Sequence, residues 1–226
     1  MTQYTLKQVA KTIDHSLLKP EMTRDEVAAG CEIAKKYDVA SVCCKPADVK
    51  FCADLLKGTD VEIGTVVGFP HGSSTTATKV FETNQAIADG ATEIDMVINI
   101  GMLKSGMLDA VRDDIAAVVK ASQGKDVKVI LENAYLTKDE IVTCCKLVEE
   151  AGAQYVKTST GYAPTGATLD DVKLMKSSVS EKIKVKSAGG VRTLDVLMEY
   201  MDAGISRSGA TTTAVMLDEF KERFMK

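Results

Sequence analysis

Eight short apolar runs, each followed by a longer amphipathic stretch, constrain this chain more than any other feature. The runs cover 13–18 (IDHSLL), 39–43 (VASVC), 61–67 (VEIGTVV), 93–98 (EIDMVI), 127–132 (VKVILE), 154–158 (QYVKT), 183–187 (IKVKS) and 205–209 (ISRSG). They have the length of strands, and the stretches between them repeat apolar residues at the 3.6-residue spacing of a helix. Thr23 followed by Glu26 predicts a capping box, in which side chain and backbone satisfy each other at a helix start. Thr137 and Glu140 repeat the device. Helices are expected to stop at Gly90, Gly152 and Gly204, each just before a strand.

Strand–helix alternation leaves two architectures open. A doubly wound open sheet normally has five or six strands and a Gly-rich fingerprint after the first. No GxGxxG follows the first run here, and there are eight units in 226 residues. The expectation is therefore a single α/β domain over 1–226, a TIM (β/α)8 barrel, for which about 200–250 residues suffice.

Composition narrows the partners. The net charge of −4 gives no electrostatic reason to bind nucleic acid. No apolar run is long enough to span a membrane, and the first residues carry charge where a secretory signal needs an apolar stretch, so the cytoplasm is the expected compartment. Six cysteines at 31, 43, 44, 52, 144 and 145 include two adjacent pairs, a poor disulfide pattern. They read as small core residues, except that Cys43 falls near a strand end.

Barrel enzymes keep their chemistry at the C-terminal ends of the strands. The polar residues expected there are Asp14, His15, Asp95, Asn99, Glu132, Lys157 and Lys186. Lysine late in an apolar strand is the informative oddity. A free lysine is unprotonated only about once in 2,500 molecules at neutral pH. Burial and a neighbouring cation both lower its pKa, and a shift of about three units raises the reactive amine roughly a thousandfold. Such an amine attacks a carbonyl to form a Schiff base. Lys157 and Lys186 fall on neighbouring runs, with Asp95 available to relay protons. The structural alternative is that each lysine only pairs with an acid or extends out of a strand end. Lys184 shares the face of Lys186 but lies deeper or nearer the opposite mouth, with no chemical role. Asp14 either extends the relay or braces strand 1.

Glycines after the last two strands suggest a phosphate site, where backbone N–H groups meet the ligand. Gly189 with Gly190, and Gly209 with Ala210 and Thr211, allow that approach, with Arg192 and Arg207 as nearby cations. Only two histidines occur, His15 and His71, without ligand-type spacing, so no metal and no cofactor is expected. His71 reads as a loop residue.

The stretch VGFPHGSSTTATKVFETNQAIADGATEIDMVINIG (67–101) resembles the deoxyribose-phosphate aldolase family, as do IDHSLLKP (13–20), VKTSTG (156–161) and VKSAGGVRT (185–193). The resemblance spans essentially the whole chain. It implies a homo-oligomeric class I aldolase that reversibly cleaves 2-deoxyribose 5-phosphate to glyceraldehyde 3-phosphate and acetaldehyde. It further implies Lys157 as the Schiff-base lysine, Lys186 as the lysine that tunes it, and Asp95 as the proton-relay acid. Gly161, Gly189, Gly190, Val191, Arg192, Gly209, Ala210 and Thr211 fall in the implied phosphate loops. Cys43 matches a cysteine near the site that catalysis does not require.

Some positions depart from the family pattern. Asn133 stands where Thr is usual, and Ser187–Ala188 where Ala–Ser or Pro–Ala is usual. Ser208 is expected to replace a barrel-facing apolar side chain, and the EFKERFMK terminus lacks a tyrosine that some members use in proton transfer. Another Schiff-base lyase of a phosphorylated aldehyde or keto acid, and a barrel that binds sugar phosphates without turnover, are the competing readings.

Overall fold

A computed structural model describes residues 4–225. Eight strands form a closed barrel: β1 (Ile13–Leu17), β2 (Ser41–Cys44), β3 (Glu62–Val67), β4 (Glu93–Val97), β5 (Asp126–Ile130), β6 (Tyr155–Lys157), β7 (Lys184–Ala188) and β8 (Arg207–Ala210). Every neighbouring pair is parallel, and β8 closes onto β1 with Asp14 opposite Gly209. The barrel expected from the sequence is thus present.

The helices are α1 (Leu6–Ala10), α2 (Arg24–Tyr37), α3 (Val49–Leu55), α4 (Thr76–Ala88), α5 (Ile100–Lys104), α6 (Leu108–Ala121), α7 (Lys138–Glu150), α8 (Leu169–Ser177), α9 (Leu194–Asp202) and α10 (Thr213–Phe224). Both expected capping boxes form, at Thr23 with Glu26 and at Thr137 with Glu140. Thr5 and Gln8 make a third at α1. Gly90, Gly152 and Gly204 all take positive φ after a helix, as their position before a strand requires.

Two strands, β2 and β8, start two residues later than their apolar runs. Asp38 adopts the left-handed conformation that closes α2, and Val39 N–H donates back to Ala34. Those residues belong to the helix stop rather than to β2. Ile205 N–H likewise donates to Tyr200 at the end of α9, so β8 begins only at Arg207.

Alternation along each strand sorts side chains into two layers. Ile13, Val42, Ile63, Ile94, Met96, Val127, Val129, Val156 and Val185 join the apolar layer between barrel and helices. The opposite faces of several strands carry charge into the lumen: Asp14, Glu93, Asp95, Lys128, Lys157 and Lys186 are all nearly inaccessible to solvent. Outside the barrel, Lys79 on α4 is also fully buried, bonded to Asp114 on α6 at 2.5 Å and to the Val97 carbonyl at 2.9 Å.

His15 lies one residue from Asp14 and therefore on the other face. Its Nδ1 meets Thr213 Oγ1 at 2.8 Å, against α10 rather than in the lumen. This corrects its expected place among the site residues. Burial pushes its pKa down to about 4. The unfolded chain, with an ordinary histidine near 6.5, binds that proton first as pH falls. Stability from neutral His15 is therefore full above pH 6.5 and is lost between 6.5 and about 4, by about 3 kcal/mol. Denaturant unfolding at pH 7 and pH 4.5 should show a smaller loss in His15→Asn than in the parent. An equal loss would remove His15 as the cause.

Candidate active site

The C-terminal ends of β1, β2, β6, β7 and β8 open into a cavity of about 480 Å³. Lys157 and Lys186 line it, with Asp14 and Cys43 beside them. All the residues expected in the phosphate loops line the same cavity: Gly161, Gly189, Gly190, Val191, Arg192, Gly209, Ala210 and Thr211. Asp95 is fully buried, with its carboxylate between the two lysines. The two lysines, Asp95 and the glycine loops nominated from sequence therefore converge on one place.

Register explains the convergence. Lys157 pairs with Lys186 across β6 and β7, so the two ammonium stems leave adjacent strands in the same direction. Each amine donates to the same oxygen, Asp95 Oδ2, at 2.7 Å. Lys186 also meets Asp14 Oδ2 at 2.5 Å. Asp14 in turn accepts from Arg207 at 2.6 Å.

The two lysines titrate in opposite directions. Burial lowers the pKa of Lys157 below the ordinary lysine value; Asp95 opposes that, and the Lys186 charge adds to it. Of the two causes expected from the sequence, burial and a neighbouring cation, removal from water is the larger. Burial also disfavours charge on Lys186, yet Asp14 and Asp95 together outweigh it and hold that pKa well above the ordinary value. One buried amine is thus shifted toward its neutral form beside a second that is held as an ammonium. Burial raises the Cys43 thiol to about 11, which leaves it an unreactive wall of the cavity at neutral pH.

The loops are shaped by close backbone approach. Gly189 has φ +76°, and a Cβ at Gly166 would sit 2.2 Å from the Gly189 carbonyl oxygen. Ala167 N–H donates to the Ala188 and Gly189 carbonyls, locking the loop after β6 onto the loop after β7. Glu132 takes left-handed φ 58°, and its carboxylate accepts from Thr160 N–H and hydroxyl, one residue before Gly161. Tyr162 donates to the Leu18 carbonyl at 2.8 Å and stacks edge-on against Phe69, spanning the mouth.

Several expectations need correction. Arg207 is no phosphate cation: it is held below the lysines by Asp14 and by Glu93, at 2.8 Å to the latter. Asn99 caps α5 by accepting from Met102 N–H. Lys184, by contrast, lies toward the opposite mouth as expected, exposed at the start of β7 and over the Tyr155 ring at 5.0 Å. Ser208 does not face the lumen. It alternates with Arg207 and Gly209, and its hydroxyl accepts from Ser187 at 3.0 Å. Two departures from the family pattern are thus one buried hydrogen-bonded pair. The described residues finish with α10 and Met225, and Lys226 lies outside them.

Sequence reasoning missed Lys128 and Glu93. Lys128 Nζ lies 2.7 Å from Glu93 and 3.3 Å from Asp95 Oδ1. The signal was available: Lys128 is a lysine inside an apolar strand, and Glu93 sits two residues before Asp95 on the same face.

A family model for DeoC/LacD family aldolases matches residues 8–222. The chain belongs to this aldolase family. This aldolase is 52% identical over 202 residues to a curated deoxyribose-phosphate aldolase of Staphylococcus epidermidis, covering 89% of this chain and 92% of the relative. It is 49% identical over 217 residues to a deoxyribose-phosphate aldolase of Thermoanaerobacter sp., covering 95% and 97%. Among solved structures, the tetrameric deoxyribose phosphate aldolase of Aeropyrum pernix superposes with TM-score 0.90 at 27% identity, over 96% of this chain and 92% of that one. No helix of the described residues of this aldolase is long and apolar enough to cross a membrane.

Proposed function

We propose that this aldolase cleaves 2-deoxy-D-ribose 5-phosphate reversibly to D-glyceraldehyde 3-phosphate and acetaldehyde, through a Schiff base on Lys157. The observation that carries the reading is a buried lysine of lowered pKa, in contact with Asp95, at the floor of a cavity rimmed by glycine loops.

In the cleavage direction, the neutral Lys157 amine adds to C1 of the open-chain sugar. Loss of the C1 hydroxyl as water, with a proton relayed through Asp95 and Lys186, leaves a protonated imine. Deprotonation of the C3 hydroxyl breaks the C2–C3 bond. Its electron pair moves into the imine to give a two-carbon enamine, and glyceraldehyde 3-phosphate departs. Protonation at C2 and hydrolysis release acetaldehyde and restore the lysine. The backbone N–H groups around Gly189, Gly190, Gly209 and Ala210, with Val191, Thr211, Gly161 and Arg192, hold the phosphate.

Borohydride added with acetaldehyde should leave one reduced two-carbon adduct, found by mass spectrometry on the peptide containing Lys157. An adduct elsewhere, or none, refutes the Schiff-base reading. Acceptance of acetaldehyde as donor separates this substrate assignment from a lyase of another phosphorylated aldehyde or keto acid.

Lys186→Leu removes a positive charge beside Lys157 and leaves Asp95 freer to stabilise the Lys157 ammonium. The acid limb of the kcat/KM profile should move to higher pH by about one unit. An unmoved limb refutes the tuning role.

We infer further that the chain works in the cytoplasm as a homo-oligomer. Its cysteines are free buried thiols, which suits a reducing compartment. The tetrameric Aeropyrum pernix relative supports assembly.

A further inference from the structure

We propose that Lys128 and Glu93, together with Arg207, are positioning residues that set the charge on Lys157 from below the cavity, by making the buried cluster neutral only when Lys157 has lost its proton. The proposal rests on the Schiff-base reading of Lys157.

Ion pairs inside the barrel connect three carboxylates, Asp14, Glu93 and Asp95, with four cations, Lys128, Lys157, Lys186 and Arg207. Their side chains range from fully buried to 15% exposed. In a medium of low polarity an unbalanced charge is costly, so such a group tends toward neutrality. With all four cations charged, the cluster carries one excess positive charge. One proton must leave for balance, and geometry selects which.

Arg207 cannot lose its proton and bridges Asp14 and Glu93. Lys186 holds two carboxylates, Asp14 at 2.5 Å and Asp95 at 2.7 Å. Lys128 reaches Glu93 at 2.7 Å and Asp95 Oδ1 at 3.3 Å, with Asp14 at 3.9 Å. Lys157 alone has a single carboxylate, and it shares that oxygen with Lys186. It is the least compensated cation of the four, and it lines the cavity. Cys43, beside it in the cavity wall, stays protonated at neutral pH. Opposing shifts of Lys157, downward, and Lys128, upward, agree with this assignment.

The consequence is a signed effect from residues outside the cavity lining. Lys128→Met removes a cation from the far oxygen of Asp95, so Lys157 holds its proton more tightly. Glu93→Gln removes an anion and does the opposite. The acid limb of kcat/KM should rise by about one pH unit in Lys128→Met, with about a tenfold loss of rate below it, and fall by about half a unit or more in Glu93→Gln. Lys128→Arg, which keeps the charge, should retain the parental limb. Borohydride trapping on Lys157 in the unmodified enzyme is run alongside: failure there refutes the Schiff-base reading itself. If trapping succeeds but neither limb moves, or both move the same way, the positioning role is overturned. A limb in Lys128→Arg displaced as far as in Lys128→Met also overturns it, because packing rather than charge would be responsible. If Lys128→Met does not fold, Glu93→Gln decides alone, since a mere structural loss has no reason to lower the limb.

Discussion

Lys157→Ala should lose cleavage by about four orders of magnitude or more, the scale on which removing a nucleophile acts, while the barrel stays folded. The two effects separate because Lys157 is the least compensated of the buried cations. Without it, Asp95 keeps Lys186 at 2.7 Å and Lys128 at 3.3 Å. The loss of packed methylenes destabilises, and the loss of an excess buried charge stabilises, so the melting temperature should stay within a few degrees. An aldehyde-release assay with a thermal melt checks both. Measurable cleavage by a folded Lys157→Ala protein would remove the mechanism.

Asp95→Asn should act on both stability and turnover. Asp95 is the carboxylate on which Lys128, Lys157 and Lys186 meet. Burial opposes its ionisation, but those three lysines together hold its pKa well below the usual carboxylate range. A neutral amide leaves buried ammonium groups short of an anion, a loss of about 3–5 kcal/mol and roughly 10 °C in melting temperature for a chain of this size. The pH dependence has a definite sign. The folded pKa lies below the unfolded value of 3.8, so Asp95 contributes stability above pH 3.8, and that contribution is lost as pH falls below it. In catalysis, Asp95 opposes the lowering of the Lys157 pKa, so its removal does not deprive the enzyme of a free amine. What the substitution would remove is the proposed proton relay, worth about 10²–10⁴ in rate. Asp95→Asn should still trap acetaldehyde on Lys157 while turnover collapses. Parental turnover, or loss of trapping with the fold intact, counts against the relay.

Much of this site was legible because it depends on local patterns. VKTSTG and VKSAGG place two lysines at matching heights on consecutive strands, and consecutive strands in a parallel barrel are neighbours. The glycines that shape the cavity loops lie within a few residues of those strand ends. His15 and Ser208 were misassigned for a related reason: one step along a strand reverses the face, and strand ends judged from composition carry an error of that size.

The sequence by itself determined the eight strand–helix units, the caps that begin the helices, the glycines that end them, and the pairing of Lys157 with Lys186. Each of these follows from spacing within one element or between consecutive ones. Only the closed barrel decided that Arg207 belongs with Asp14 and Glu93, that Lys128 shares Asp95, and that Ser187 answers Ser208. Arg207 and Asp14 are 193 positions apart in the chain, and Arg207 and Glu93 are 114 apart. The charge balance of a buried cluster is a sum over every strand that faces the lumen, and closure of the sheet is what brings those strands around one volume.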